Sequence, residues 1–490
     1  MDDIGGFFFG IFGGVMEVIK DHGLLVMWEE IPLDLFTPVS AFFKLQKIGA
    51  RCLLESVERG ENLGRYSFIG LSPERKIVVK GSELITTENR RHLTRGTVKE
   101  VIDSLLQGQQ RLPLDEVPFT GGWAGYIGYD FVNFLEEIDL PEKNNSFPVL
   151  FLYQFNNLLI FDHVKNTGKI LLIGEEKEKK EIEEKLNSIR EALRFPGDLA
   201  PAEFLLESNY SPILQPSLSQ EDFVKCVQKA KDYIRAGDIF QVVLSIQFQG
   251  GTTASPFDIY RTLRMLNPSP YMFYFDFGDF QLIGSSPEAH MKVTKNKILL
   301  RPIAGTRKRG SAPNQELELE KELRTDPKEQ AEHVMLVDLA RNDLGKVCRP
   351  GTVRVSEFMT VEKYSHVMHL VSQVEGELKP DQTFFDLLQA TFPAGTVTGA
   401  PKLRAMEIIK ELEPVNRGPY AGIVGYLSYN GQVDSCIGIR MIVFQKGKFY
   451  LQAGAGVVIG SDPQKEYQEV RNKIRGMYQA IKLAEQGGPR

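Results

Sequence analysis

The sequence predicts an α+β fold, with two mostly antiparallel β-sheets packed together and helices outside. Three observations predict it. Strand-like runs recur at QVVLSIQF (241–248), YMFYFDF (271–277), QLIGSS (281–286), AGIVGYLSY (421–429), CIGIRMIVF (436–444) and KFYLQAGAGVV (448–458). Several are joined by turns of hairpin length, such as Tyr429-Asn430-Gly431, and short connections make antiparallel neighbours. The clearest helical stretch, 174–193, is laced with opposite charges, which puts it on the surface. A doubly wound parallel sheet would need a stricter alternation of strand and helix.

With 490 residues the chain has room for roughly two to three domains and a large core. Charged residues at 25% and hydrophobic residues at 42% are those of a soluble globular protein. A net charge of −6 offers no global basic field for nucleic acid. An anionic substrate would therefore need local positive groups. The four cysteines (Cys52, Cys226, Cys348, Cys436) form no CxxC pair and read as free thiols in a reducing compartment.

In chain order, residues 1–30 form an unassigned N-terminal extension. Asp2 and Asp3 stand where a secretory signal would be basic, and the apolar stretch is too short and glycine-rich to span a bilayer. A cytoplasmic protein is expected. Residues 31–195 form an N-terminal part, in which 147–173 read as strands with a turn at Lys165-Asn166-Thr167-Gly168. Residues 196–218 carry four prolines and no periodicity, and read as a linker. Ser219 with Asp222 resembles a capping box, opening a helix that ends near Gly237 and a C-terminal part, 219–485.

Two internal echoes cross that divide in the same order. Ile69-Gly70-Leu71-Ser72-Pro73-Glu74 matches Ile283-Gly284-Ser285-Ser286-Pro287-Glu288. Ala124-Gly125-Tyr126-Ile127-Gly128-Tyr129 matches Ala421-Gly422-Ile423-Val424-Gly425-Tyr426. Their unequal spacing excludes a fixed-period array. Chance resemblance and a diverged duplication both remain open.

The chemistry concentrates in the second part. Asp326-Pro327 and Asp462-Pro463 each read as an N-cap followed by proline at the first helical position. Behind them, Glu329 and Glu332, and Glu466 and Glu469, are spaced i,i+3, so each pair lies on one helix face. Two such pairs suit Mg²⁺, which takes one or two protein carboxylates and leaves room for substrate oxygens. Each pair alone reads equally as complement to a helix dipole. Gly454-Ala455-Gly456 ends a strand with glycines that admit a ligand to the backbone, and Lys473 lies i+4 from Glu469. Arg301 and Arg307 flank a Gly305-Thr306 turn, either a surface turn or one that holds a carboxylate. Arg440, in a hydrophobic strand, requires an anion, whether a substrate carboxylate or one of the glutamates. His366 and His369 offer an acid–base group and not a zinc site, because no further His or Cys lies nearby.

Together these stretches resemble the chorismate-utilising enzymes. The resemblance rests on LLES (53–56), NPSPYM (267–272), GSSPE (284–288), RPIAGTR (301–307), AEHVMLVDLARNDLG (331–345), YSHVMHLVS (364–372), FPAGTVTGAPK (392–402), RGPYAGIVGY (417–426) and AGAGVV (453–458). It spans about residues 31 to 482, and the first 30 residues depart from it. It implies Mg²⁺ as cofactor, with Glu332 and Glu469 as ligands and Glu329 and Glu466 beside them. It implies chorismate contacts from Gly305, Thr306, Tyr420, Arg440, Gly454, Ala455, Gly456 and Lys473. His369 and Glu288 match the acid–base pair, and Thr396 lines the pocket. LLES and NPSPYM resemble the tryptophan site of feedback-inhibited members, which implies L-tryptophan near Glu55, Ser56, Pro270, Tyr271 and Met272, with Gly425 and Cys436 as further walls.

Local choices separate the branches. Ala304 stands where aminodeoxychorismate-forming relatives carry a nucleophilic lysine, and a methyl group cannot attack the ring. Gln241 stands where isochorismate- and salicylate-forming relatives carry a lysine base. The resemblance therefore implies the anthranilate-forming branch, which opens tryptophan biosynthesis. Ammonia adds to chorismate and pyruvate is eliminated. None of the four cysteines sits in a Gly-x-Cys-x-Gly elbow, so ammonia is expected from a separate glutamine amidotransferase subunit, in a heterotetramer of two large and two small subunits. The rivals are the aminodeoxychorismate-forming branch and an inactive regulatory binder of chorismate or tryptophan.

Overall fold

Successive residues of a strand face opposite ways, and here both faces are apolar. Met272 and Tyr274 join one core cluster, while Phe273 and Phe275 join another. Such strands need cover on both sides, which gives four layers: helices, sheet, sheet, helices. The computed structural model describes residues 8–9, 15–21, 24–56, 64–88, 90–106, 117–138, 147–194, 213–364 and 367–487. Among them are a 14-stranded and a 12-stranded sheet, and every recorded strand pairing is antiparallel.

The larger sheet has the strands Ala50–Glu55 and Tyr271–Asp276 side by side at its middle, with Glu55 opposite Met272. Moving outward, Tyr66–Leu71, Asn157–Asp162, Thr167–Glu175 and Leu24–Pro32 follow on one side. Gln281–Ser286, Met441–Gln445, Lys448–Val457 and Gln241–Gly251 follow on the other. The smaller sheet is centred on Gly122–Ile127 and Ile423–Ser428, with Gly125 opposite Gly425. Its next strands are Leu150–Phe155 and Val433–Ile437, then Arg75–Lys80 and Ala289–Thr294. Both sequence echoes thus occupy equivalent places about one centre, as a diverged duplication requires. The division into an N-terminal and a C-terminal part does not separate the sheets, because each half contributes strands to both.

The outer helices Pro38–Leu45, Lys179–Arg194, Gln220–Ala236, Pro256–Leu266 and Pro463–Gly487 cover the larger sheet. Helices Arg95–Leu106 and Phe384–Thr391 cover the smaller one, while Lys402–Leu412 lies on the larger sheet, where Ala405, Ile408 and Ile409 join its core cluster. Between the sheets lies an aromatic cluster, in which Phe151 and Phe277 have ring centroids 4.4 Å apart. Burying each such ring contributes roughly 2–3 kcal/mol.

The helix opened by Ser219 runs Gln220–Ala236 and closes on a left-handed Gly237, as its capping signals predict. The charged helix starts later than expected, at Lys179, because Gly174 and Glu175 finish the preceding strand. Most of the expected linker lies outside the described residues. Its end does not, and Gln215–Pro216 pairs with the edge of the larger sheet. The boundary drawn after residue 30 falls inside the strand Leu24–Pro32. All four cysteines are free, and among the described residues no helix is long and apolar enough to cross a membrane.

Candidate active site

The two Asp-Pro helix starts form as their sequences dictate. Asp326 accepts from the N–H groups of Lys328 and Glu329, and Asp462 from those of Gln464 and Lys465 at 3.0 Å each. These caps fix helices Pro327–Val347 and Pro463–Gly487, whose first turns carry the two glutamate pairs. The pairs meet. Burial pushes the Glu332 carboxyl up, and the negative charges of Glu329 and Glu469 push it further. Glu466 is raised in the same way, by burial and then by Glu469. Gln241 donates to Glu332 Oε1 at 3.0 Å, Arg307 pairs with Glu329 at 3.1 Å, and Lys473 pairs with Glu469 at 2.8 Å. Among the described residues no group of three or more His, Cys, Asp or Glu side chains is arranged to hold a metal alone. A cation that draws part of its shell from water and substrate needs fewer, and crowded, partly buried carboxylates fit it.

The floor of the site is the strand Lys448–Val457, which pairs with Gln241–Gly251 and sets Gly454, Ala455 and Gly456 opposite Ser245, Leu244 and Val243. Lys473 Nζ donates to the Gly454 carbonyl at 2.8 Å. A Cβ at Gly454 would lie 3.0 Å from the Tyr420 hydroxyl, so the tyrosine leans over this floor. The wall is the strand Ile303–Lys308 paired with Val367–Glu377, where Thr306 faces His369 across a bulge at Gly305. Gly305 has φ +67, a left-handed conformation that a side chain would strain.

His369 Nδ1 lies 2.9 Å from the Gly305 carbonyl and 3.0 Å from Thr306 Oγ1. A carbonyl only accepts, so Nδ1 carries the proton and Nε2 is left basic. Burial lowers the His369 pKa, which keeps the ring neutral. Glu288 is pushed up to about 7 by burial, opposed by the Thr396 hydroxyl and the Lys473 charge. The Thr396 Oγ1 is buried beside Glu288 and makes no well-formed hydrogen bond among the described residues.

Arg440 decides between the two partners that its sequence left open. Among the described residues it makes no ion pair. Burial lowers its pKa, and the groups facing it are Tyr420 and then Glu469. A desolvated cation without a paired carboxylate is suited to receive an anion. Arg307 turns to Glu322, Asp326 and Glu329, whereas Arg301 bonds Glu362 through Nη2 and keeps a buried Nε, unpartnered among the described residues, in the cavity it lines with Glu288 and Thr396. His366 lies outside the described residues.

The second group of candidates lies between the middle of the larger sheet, which carries Glu55, Tyr271 and Met272, and the smaller sheet, which carries Gly425 and Cys436. Glu55 is opposite Met272, and Tyr271 donates to Asp434 at 3.0 Å. Burial pushes the Tyr271 hydroxyl pKa well up, and the charge of Asp434 acts beside it. Cys436 pairs with Val424 and Gly425 with Ser435. The Glu55 carboxylate is already engaged, by Arg264 Nη2 at 3.0 Å and by the Tyr260 hydroxyl. Sequence reasoning missed Arg264 and Tyr260. Their i,i+4 spacing on helix Pro256–Leu266 was the available signal.

Arg440 without an ion pair among the described residues, Glu288 with its pKa raised to about 7 and the crowded carboxylates together suit a small anionic ligand. Residues 49–479 match the family of chorismate binding enzymes. The anthranilate synthase component 1 of Acetivibrio thermocellus is 42% identical over 97% of this chain and 99% of its own. That of Thermus thermophilus is 43% identical over 93% and 97%. The crystal structure of anthranilate synthase component I from Streptococcus pneumoniae TIGR4 superposes with a TM-score of 0.77 at 36% identity, covering 91% of this chain and 99% of that one. The chain belongs to the chorismate binding enzymes, in their anthranilate synthase component 1 branch.

Proposed function

We propose that this protein converts chorismate and ammonia to anthranilate, pyruvate and water, the entry to tryptophan synthesis. The observation that carries this reading is the half-buried Arg440, without an ion pair among the described residues, beside Tyr420 and the Gly454–Gly456 strand. It suits the enolpyruvyl carboxylate of chorismate. Glu288, protonated near neutrality, suits the proton donor to the departing 4-hydroxyl. His369 Nε2 suits the base that assists pyruvate elimination. Mg²⁺ would be held by Glu332 and Glu469, with Glu329 and Glu466 beside them, and would neutralise and orient the ring carboxylate. Ala304 is a buried methyl, which leaves the nucleophile to come from outside. A glutamine amidotransferase subunit, the component 2 that the name component 1 implies, is its source, in a complex of two large and two small chains in a reducing cytoplasm.

Purified protein with chorismate, Mg²⁺ and an ammonium salt should develop anthranilate fluorescence. Its absence with both substrates saturating would sink the reading. A His369→Ala variant should accumulate an aminated intermediate that still carries the pyruvyl group. Recovery of unreacted chorismate alone would remove that role.

Tryptophan is the proposed inhibitor, bound between Glu55-Ser56 and Pro270-Tyr271-Met272. Since Arg264 and Tyr260 hold Glu55, the ligand ammonium would join or displace that cluster. The site joins two strands from different halves of the chain, so a ligand there biases their packing. Replacing Ser56 with a bulky residue should relieve inhibition and spare uninhibited turnover. Tryptophan titration of parent and variant checks this, and equal inhibition of the two would refute the site.

A further inference from the structure

Arg417 is 3% exposed, a burial that a guanidinium tolerates only when its donors are used. All three nitrogens are used. Nε and Nη2 grip Glu413 at 3.0 and 2.6 Å, Nη1 donates to the Val397 carbonyl at 2.7 Å, and Nη2 donates to the Val243 carbonyl at 2.7 Å. These partners join the Thr396 segment to the strand Gln241–Gly251. Val397 follows Thr396, which faces Glu288. Val243 lies opposite Gly456 and two residues beyond Gln241. Glu413 accepts in turn from the N–H and hydroxyl of Ser245, which lies opposite Gly454. The Tyr420 ring is 5.7 Å from the guanidinium.

The other side of Arg417 meets the N-terminal part of the chain. The Tyr129 ring lies 4.6 Å from its guanidinium. The next residue, Gly418, donates to Asp130 at 2.7 Å and accepts from the Tyr129 N–H at 2.8 Å.

We propose that Arg417 is a positioning residue of the chorismate site, holding the Thr396 segment, the glycine floor and Tyr420 in register with one another and with Tyr129. It touches no reacting atom. The inference rests on the reading of the pocket as a chorismate site.

The test uses the full chain. Chorismate affinity is measured by equilibrium titration, turnover with ammonium, and thermal unfolding alongside. Arg417→Lys keeps a charge for Glu413 and loses the planar fork. It should weaken chorismate binding at least tenfold and lower kcat as well. A residue that only stabilised the fold would lower Tm and leave the Kd of folded protein unchanged. A folded Arg417→Lys variant with parental Kd and kcat overturns the proposal. Should that variant not fold, Tyr129→Leu decides. It removes the ring from the guanidinium and should weaken chorismate binding at least threefold, and a parental Kd overturns the proposal. The titration needs no turnover, so a parent that binds chorismate without forming anthranilate counts against the reaction and leaves this test standing. A parent that does not bind chorismate overturns both.

Discussion

Glu288→Gln should lower turnover by about 10²–10⁴-fold, the usual loss on removing a positioned general acid, and should at the same time make the protein more stable above neutral pH. Both effects have one cause. Burial raises the Glu288 carboxyl from its ordinary 4.5 to about 7, so the folded protein favours the neutral acid. The folded state then binds a proton that the unfolded chain has released. Stability is full below about 4.5, falls as pH rises through about 7, and levels off above it. The penalty at pH 8 is about 3 kcal/mol at most, less where water reaches this half-buried residue. Glutamine keeps the shape and carries no charge to desolvate. Thermal unfolding at pH 5 and pH 8 should show the variant gaining Tm only at the higher pH. The parent's rate should fall on the alkaline side near pH 7, and the residual rate of the variant should lack that limb. A variant with parental turnover would remove Glu288 from the chemistry. One with no pH-dependent gain in Tm would show that its carboxyl is not raised.

What was legible in the sequence was what short-range chemistry dictates. The caps at Ser219, Asp326 and Asp462 depend on residues two or three positions on, and each stands where its signal put it. The carboxylate pairs were equally local, because i,i+3 spacing fixes one helix face. Strands with apolar residues on both faces announced themselves. The strand Leu24–Pro32 did not, because Glu29 interrupts its apolar run. That glutamate is fully buried and is paired at 2.6 Å with Arg190, on a helix whose charges read as wholly solvated. Its partner is 161 residues away, beyond any local pattern. The same distance hid Arg417, whose carbonyl acceptors lie 20 and 174 residues away. Arg307 misled in the opposite direction. Its place beside a Gly-Thr turn suggested a ligand, and the acidic side chains of Glu322, Asp326 and Glu329 take it instead. For Arg440 the sequence posed the choice between substrate and glutamate. Only the packing leaves it unpaired among the described residues.

Glu332→Gln should abolish the response of the protein to Mg²⁺ while preserving its fold. The carboxylate is pushed up by burial and by the charges of Glu329 and Glu469, so in the absence of a cation it opposes folding as it ionises. Its hydrogen bond from Gln241 at 3.0 Å does not supply a positive charge. An amide removes the repulsion and also removes a hard anionic ligand. Without Mg²⁺ the variant should therefore melt at or above the parental Tm. With Mg²⁺ the parent should gain stability by mass action, about 2.7 kcal/mol at a hundredfold excess over Kd, and the variant should gain little. Glu469→Gln should behave alike for Mg²⁺, with a further consequence. It frees Lys473 from its 2.8 Å pair and leaves that lysine to Gly454 and Glu288. The alkaline limb assigned to Glu288 should then move to lower pH in Glu469→Gln and stay in place in Glu332→Gln. Melting curves with and without MgCl₂ decide the first point. A Glu332→Gln variant that keeps the full parental shift would take the metal away from this pair of helices, and a Glu288 limb that moves equally in both variants would take Lys473 away from Glu288.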